Sequence, residues 1–325
     1  MQLKVLLFSL WCLDIQLDGN SSALVDTIWG GANLLWKIIY SFHMPLFMFC
    51  SGLFFPSYNT CGFKDVFKSI SKRFKTLMVP YFFMGVLGHF LFNRSFFLYW
   101  FLITLFLFYC LNTSVVVIMR KVKYYSVIKE SLLYVLLSLV LLFVSIKVPL
   151  TYEGVSVINL TVYPYFCLGI VLSRLNLVEK CFDKNWIYTL SVVTFSISLY
   201  FFIGSHGIIN LASGILAAVS GIFVTMCNFK HIPRGKVFSF FHQIGNVTLE
   251  IYLLHFIFLV HLPFLGEFYM NQFDSFGFGG TFVPQLIISA ILASLNIALC
   301  LILREILLHS KLLSQLLLGR TLSRI

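Results

Sequence analysis

The chain has 325 residues, 59% hydrophobic and only 11% charged, with a mean hydropathy of +0.94, whereas soluble domains run at about 45–50% apolar and about 25% charged. This excludes an ordinary soluble domain and predicts a polytopic membrane protein. The formal net charge of +11 does not indicate a nucleic-acid partner, because the cations lie in short segments between apolar runs instead of forming one patch.

Ten apolar segments follow one another, at about 3–16, 34–55, 77–92, 98–118, 128–147, 156–173, 185–203, 207–227, 246–264 and 282–305. Most are near the roughly 20 residues that cross the hydrocarbon as a helix. None shows the two-residue alternation of a barrel strand, so the predicted fold is an all-α bundle of about ten transmembrane helices. The first segment has one cation, Lys4, and a short apolar core, as a signal peptide does, but no small-residue cleavage pattern follows. It is read as a short or truncated first membrane helix.

The second segment contains Ser41-Phe-His-Met-Pro-Leu-Phe-Met-Phe-Cys-Ser-Gly-Leu-Phe-Phe55. His43 lies about nine residues in, near mid-bilayer, where a titratable ring is costly and raises a functional hypothesis. It can act as a general base or donate to a bound carbonyl or phosphate. The alternative is a neutral ring bonded to a neighbouring helix. Pro45 frees a backbone carbonyl, and Ser51 with Gly52 permits close helix contact.

The third segment opens with Lys72-Arg-Phe-Lys-Thr-Leu-Met-Val-Pro-Tyr81. Lys72, Arg73 and Lys75 can clamp the phosphates of a cytoplasmic anion, the guanidinium as a fork and the ammonium groups as point charges. They can equally set topology or touch the headgroups of membrane lipids. In the ninth segment, Ile244-Gly-Asn-Val-Thr-Leu-Glu-Ile-Tyr-Leu-Leu-His255 adds Glu250 and His255. Five residues apart, they are about 140° apart around an α-helix. Glu250 is close enough to the cytoplasmic end to reach interfacial water, whereas His255 is deeper. The other six histidines, His89, His206, His231, His242, His261 and His309, receive no role.

The positive charges fix an orientation. Of the 23 Lys and Arg, 20 fall in the N-terminal tip, in alternate connections or after the tenth segment, and only Lys37, Arg94 and Lys147 fall on the other side. Because short cytoplasmic loops carry the excess of Lys and Arg, both termini are predicted to be cytoplasmic. On this topology His43 and His255 come to similar depth. Eight scattered Cys show no CxxC pair and no metal-ligand spacing, so they read as small buried hydrophobes and no metal site is predicted. No GxxxxGK[ST], GxSxG, HExxH or GxGxxG motif occurs.

With the His43 stretch, Lys72–Tyr81 continuing into Phe82-Phe83, Leu98–Phe106, Pro164–Gly169 and Ile244–His255 taken in order, the chain resembles the acyltransferase-3 family of integral membrane O-acyltransferases. The resemblance runs from about residue 11 to about 265. It implies one acyltransferase-like domain over 1–325 in a bacterial cytoplasmic (inner) membrane. It also implies an acyl-CoA donor, usually acetyl-CoA, and a sugar hydroxyl of a surface polysaccharide or lipid-linked glycan as acceptor. The family base is a first-helix histidine in a stretch like W-G-H-x-I-Q, where this chain has Trp11-Cys-Leu13-Asp-Ile-Gln16. Leu13 stands at the base position, and Gln2 stands eleven residues earlier where the family has Arg or Lys. Catalytic roles are expected for the membrane-depth groups His43, His255 and Glu250, and the resemblance implies donor binding by Lys72, Arg73 and Lys75, with Leu13 leaving activity open. A transporter or glycan translocase and a non-catalytic relative are the alternatives; the first requires inverted repeats, and none is apparent.

Overall fold

In lipid every backbone N–H and C=O must be satisfied within the protein, and apolar runs of this length do so as helices. The computed structural model describes residues 34–56, 63–92, 99–121, 126–148, 150–152, 155–204, 206–230, 235, 245–258 and 263–320. The first segment, with Gln2, Trp11 and Leu13, lies outside the described residues.

The described residues form helices and one pair of two-residue strands, joined by short turns. Its helices are α1 (Leu34–Leu53), α2 (Phe63–Arg73), α3 (Val79–Phe92), α4 (Trp100–Lys121), α5 (Val127–Lys147) and α6 (Tyr163–Arg174). They continue with α7 (Val178–Phe182), α8 (Asn185–Gly204), α9 (Gly207–Lys230), α10 (Thr248–Leu254), α11 (Pro263–Leu308) and α12 (Lys311–Leu318). Strands β1 (Thr151–Tyr152) and β2 (Val155–Ser156) pair antiparallel before α6. Among the described residues six helices are long and apolar enough to cross a membrane: Lys64–Leu91, Trp100–Arg120, Val127–Lys147, Asn185–Gly204, Gly207–Asn228 and Leu286–Leu308. Leu160–Arg174 and Thr248–Ile257 are shorter apolar helices.

Three boundaries differ from the sequence expectation. The basic stretch before the third segment is helical: α2 runs through a π-helical turn at Phe74–Met78 directly into α3. The ninth segment does not reach 264; α10 gives way to a 3-10 turn at His255–Ile257, and Pro263 opens a new helix, where its missing N–H does no harm. The tenth segment begins much earlier than 282, because α11 is continuous over 46 residues through the run Gly277-Phe-Gly-Gly280.

The chain divides into two compact units. One comprises Met1–Phe47 and Glu179–Leu303, the other Met48–Val178 and Arg304–Ile325. In the first, α8 and α9 pack along each other, and Asn210 Nδ2–H donates to the Phe202 carbonyl at 2.7 Å. Buried Ser198, Ser213 and Ser220 donate to carbonyls three or four residues back in their own helices, which satisfies their hydroxyls without a partner helix. In the second, α6 packs against α5, and α12 packs against α3. An aromatic cluster of Phe55, Phe108, Tyr109, Tyr163 and Phe166 fills its centre, with ring centroids 4.8–6.0 Å apart.

Candidate active site

His43 sits in the first unit on α1 and is 1% exposed. Its Nδ1–H donates to the Ile39 carbonyl one turn back, at 3.1 Å. A carbonyl only accepts, so the neutral ring carries its lone pair on Nε2. Tyr40 flanks the imidazole with its centroid 5.5 Å away. The preceding residue fixes the helix in place: Phe42 packs edge-on against Phe195, and a Cβ on Gly221 of α9 would meet the Phe42 ring at 2.8 Å. Pro45 has no N–H for the Ser41 carbonyl, so the backbone just past His43 is short of one helical hydrogen bond.

His255 lies in the same unit, is 1% exposed and opens the 3-10 turn after α10. Its Nδ1–H donates to the Tyr252 carbonyl at 2.6 Å, which again leaves the lone pair on Nε2. Asn296 of α11 donates to the His255 carbonyl at 3.2 Å, and Cys300 Sγ–H donates to Asn296 Oδ1 at 3.3 Å. Glu250 is 7% exposed. The reading in which Glu250 reaches interfacial water is thereby corrected: α10 is short and the acid is enclosed.

The three cations belong to the second unit. Lys72 and Lys75 are exposed, and Arg73 is half-buried with its guanidinium carbon 4.5 Å from the centroid of the Tyr109 ring. An arginine stacked on an aromatic face keeps its forked donors at the ring edge. Tyr109 is itself seated: its hydroxyl donates to the Ser51 carbonyl at 3.5 Å and its ring stacks on Phe55. The π turn that follows Arg73 and contains Lys75 closes with the Val79 N–H donating to the Phe74 carbonyl, five residues back. Thr76 Oγ1–H donates to the Lys72 and Arg73 carbonyls at 3.1 and 3.2 Å. Single π turns inside α-helices are concentrated at functional sites.

The structure also shows residues that the sequence reading passed over. Glu130, 1% exposed, accepts from the Tyr134 hydroxyl at 2.8 Å and lies 3.9 Å from Arg174 Nε. Arg174 had been counted as a loop cation; it is the last residue of α6, and its Nη2–H donates to the Pro56 carbonyl at 2.9 Å. The Tyr163 hydroxyl donates to Asn112 Oδ1 at 3.1 Å, and Asn112 Nδ2–H donates to the Phe108 carbonyl at 2.8 Å. The signal available for Glu130 is an acid inside the apolar segment 128–147, which marks a paired group by its cost alone.

The model of the acyltransferase-3 family, described as an acyltransferase domain, matches residues 15–305. The chain belongs to the acyltransferase-3 family. No curated protein and no solved structure matches it, so the family match carries the assignment. The match covers every helix from α1 to α10 and all but the last turn of α11. Lys72 and Arg73 at the end of α2 and Lys75 in the π turn bring one half-buried guanidinium and two exposed ammonium groups together along four residues of chain. Each of the two enclosed neutral imidazoles carries its lone pair on Nε2, the only ring atom that can accept a proton.

Proposed function

We propose that this acyltransferase-3 member is a membrane O-acyltransferase that moves an acetyl group from cytoplasmic acetyl-CoA to a sugar hydroxyl of a surface polysaccharide or lipid-linked glycan. The observation that supports the donor side is Arg73 held over Tyr109 at the entry to the π turn, between exposed Lys72 and Lys75. A nucleotide with several phosphates is the anion that such a mixed set of fork and point charges suits.

In the reaction the sugar oxygen attacks the thioester carbonyl and its proton passes to an imidazole. The carbon–sulfur bond breaks, and the proton ends on the departing CoA thiolate. His43, His255 and Glu250 are the proposed catalytic groups, with His43 the first to test because its lone pair lies on Nε2 in an enclosed site. Leu13 favours a second reading, a family member without catalysis, since leucine accepts no proton at the place where the family base is expected.

The test is the O-acetyl content of the surface polysaccharide, read by NMR, in deletion cells that carry the natural chain, Leu13→His or His43→Ala. Acetylation by the natural chain that disappears in His43→Ala supports the first reading. Acetylation only with Leu13→His supports the second. Acetylation that persists in His43→Ala removes His43 from the mechanism.

A further inference from the structure

The C-terminal helix α12 lies beyond the family match, which ends at residue 305. It is nevertheless built into the second unit. Ser310 caps it, accepting from the Leu313 N–H at 3.4 Å, and Ser314 and Leu318 are buried while Leu312 and Leu313 are exposed. The helix packs on α3 and ends at Gly319, whose φ of +67° is the left-handed conformation that ends helices and that glycine adopts without strain.

What Gly319 touches gives the helix its meaning. A Cβ there would fall on the Thr76 carbonyl oxygen and lie 2.9 Å from the Pro80 ring Cγ. Thr76 is the middle residue of the π turn, and Pro80 has no N–H to offer the carbonyl four residues before it. The backbone end of α12 therefore closes directly over the Thr76 carbonyl. The π turn puts one extra residue into the helix, so its geometry decides where Arg73 and Lys75 project relative to the apolar span that follows. A wide turn of this kind persists only where its surroundings hold it.

We propose that α12 is a working part of the donor site: by seating Gly319 on Thr76 it fixes the π turn and so orients Arg73 and Lys75 toward the phosphates of the acyl-CoA. Gly319 is then a positioning residue, acting through the cations. The inference rests on the reading of Lys72–Lys75 as the donor site.

The test is titration of the purified full-length protein in lipid nanodiscs with coenzyme A by calorimetry, which needs no turnover. Four chains are compared: the natural one, Arg73→Ala, Gly319→Asn and the double variant. Asparagine tolerates the left-handed cap, so Gly319→Asn keeps the helix end and disturbs its contact with Thr76 and the Pro80 ring. The expected result is a loss of affinity of roughly tenfold for each single variant, the scale of a mispositioned contact. The double variant should be no weaker than Arg73→Ala alone. Unchanged affinity in Gly319→Asn beside a weakened Arg73→Ala overturns the inference and leaves the donor site standing. Unchanged affinity in Arg73→Ala overturns both, and additive losses in the double variant overturn the positioning role. Should Gly319→Asn fail to assemble, Ser310→Ala loosens the same helix from its other end and is read in the same way.

Discussion

Gly52 and Gly169 show how little room single residues leave inside this protein. A Cβ on Gly52 would fall on the Phe166 carbonyl, and a Cβ on Gly169 on the Phe49 carbonyl, so each glycine of the α1–α6 crossing lies against the other helix's backbone. Backbones that approach this closely gain packing that larger residues forbid, the usual source of helix association in lipid. Neither carbonyl can swing aside as a side chain can. Gly52→Ala is expected to destabilise the protein by about 3 kcal/mol, the upper end for overpacking. The measurement is the SDS-unfolding midpoint in bicelles. Gly88 on α3 is the control: nothing lies within 4 Å of its added Cβ, so Gly88→Ala should leave stability unchanged or raise it by about 0.5–1 kcal/mol through backbone entropy.

At the scale of elements, the Glu130–Arg174 pair ties three pieces of chain together: the start of α5, the end of α6 and, through the Pro56 carbonyl, the exit of α1. Arg174 Nε is buried and 3.9 Å from the carboxylate, too far for a hydrogen bond, so the attraction between them is Coulombic. Removing one member of such a pair leaves a buried charge uncompensated, which costs about 3–5 kcal/mol, whereas removing both can be nearly neutral. Glu130→Leu is therefore expected to lower stability by about 3 kcal/mol, and the Glu130→Leu/Arg174→Met double variant to recover most of it. The same unfolding midpoint decides, and a double variant as unstable as Glu130→Leu would place the loss in Tyr134 instead. This pair also marks what sequence pattern conveys. The apolar runs, the enclosed His43 and the close contact at Gly52 are local facts, readable from hydropathy and residue size. The meeting of Glu130 with Arg174 joins positions 44 residues apart, and no periodicity reports it. The helix α2 was legible in principle, since a basic face beside Val66, Phe67 and Ile70 is the pattern of a helix lying at a membrane surface. Read as charge alone, it became a loop.

For the whole molecule, the distribution of cations and the length of α11 bear on one question, which side each end occupies. At 1.5 Å per residue α11 is about 70 Å long, more than twice the roughly 30 Å of hydrocarbon. Its apolar part is Leu286–Leu308, at the C-terminal end, where Arg304 lies near the last turn. If Arg304, Lys311, Arg320 and Arg324 obey the same bias as the other Lys and Arg, this end faces the cytoplasm and the N-terminal half of α11 extends beyond the bilayer on the opposite side. The prediction is that green fluorescent protein fused after Ile325 fluoresces, while alkaline phosphatase at the same place is inactive. Phosphatase inserted in the short connection between α8 and α9, by the same alternation, should be active. The reverse pattern would put Lys72, Arg73 and Lys75 on the outer face, away from any pool of acetyl-CoA, because the count of membrane crossings links that turn to the C-terminus. Orientation is thus a test of the proposed chemistry as well as of topology: a cytoplasmic C-terminus keeps Lys72, Arg73 and Lys75 on the side where acyl-CoA is made, and an external one removes the proposed donor site.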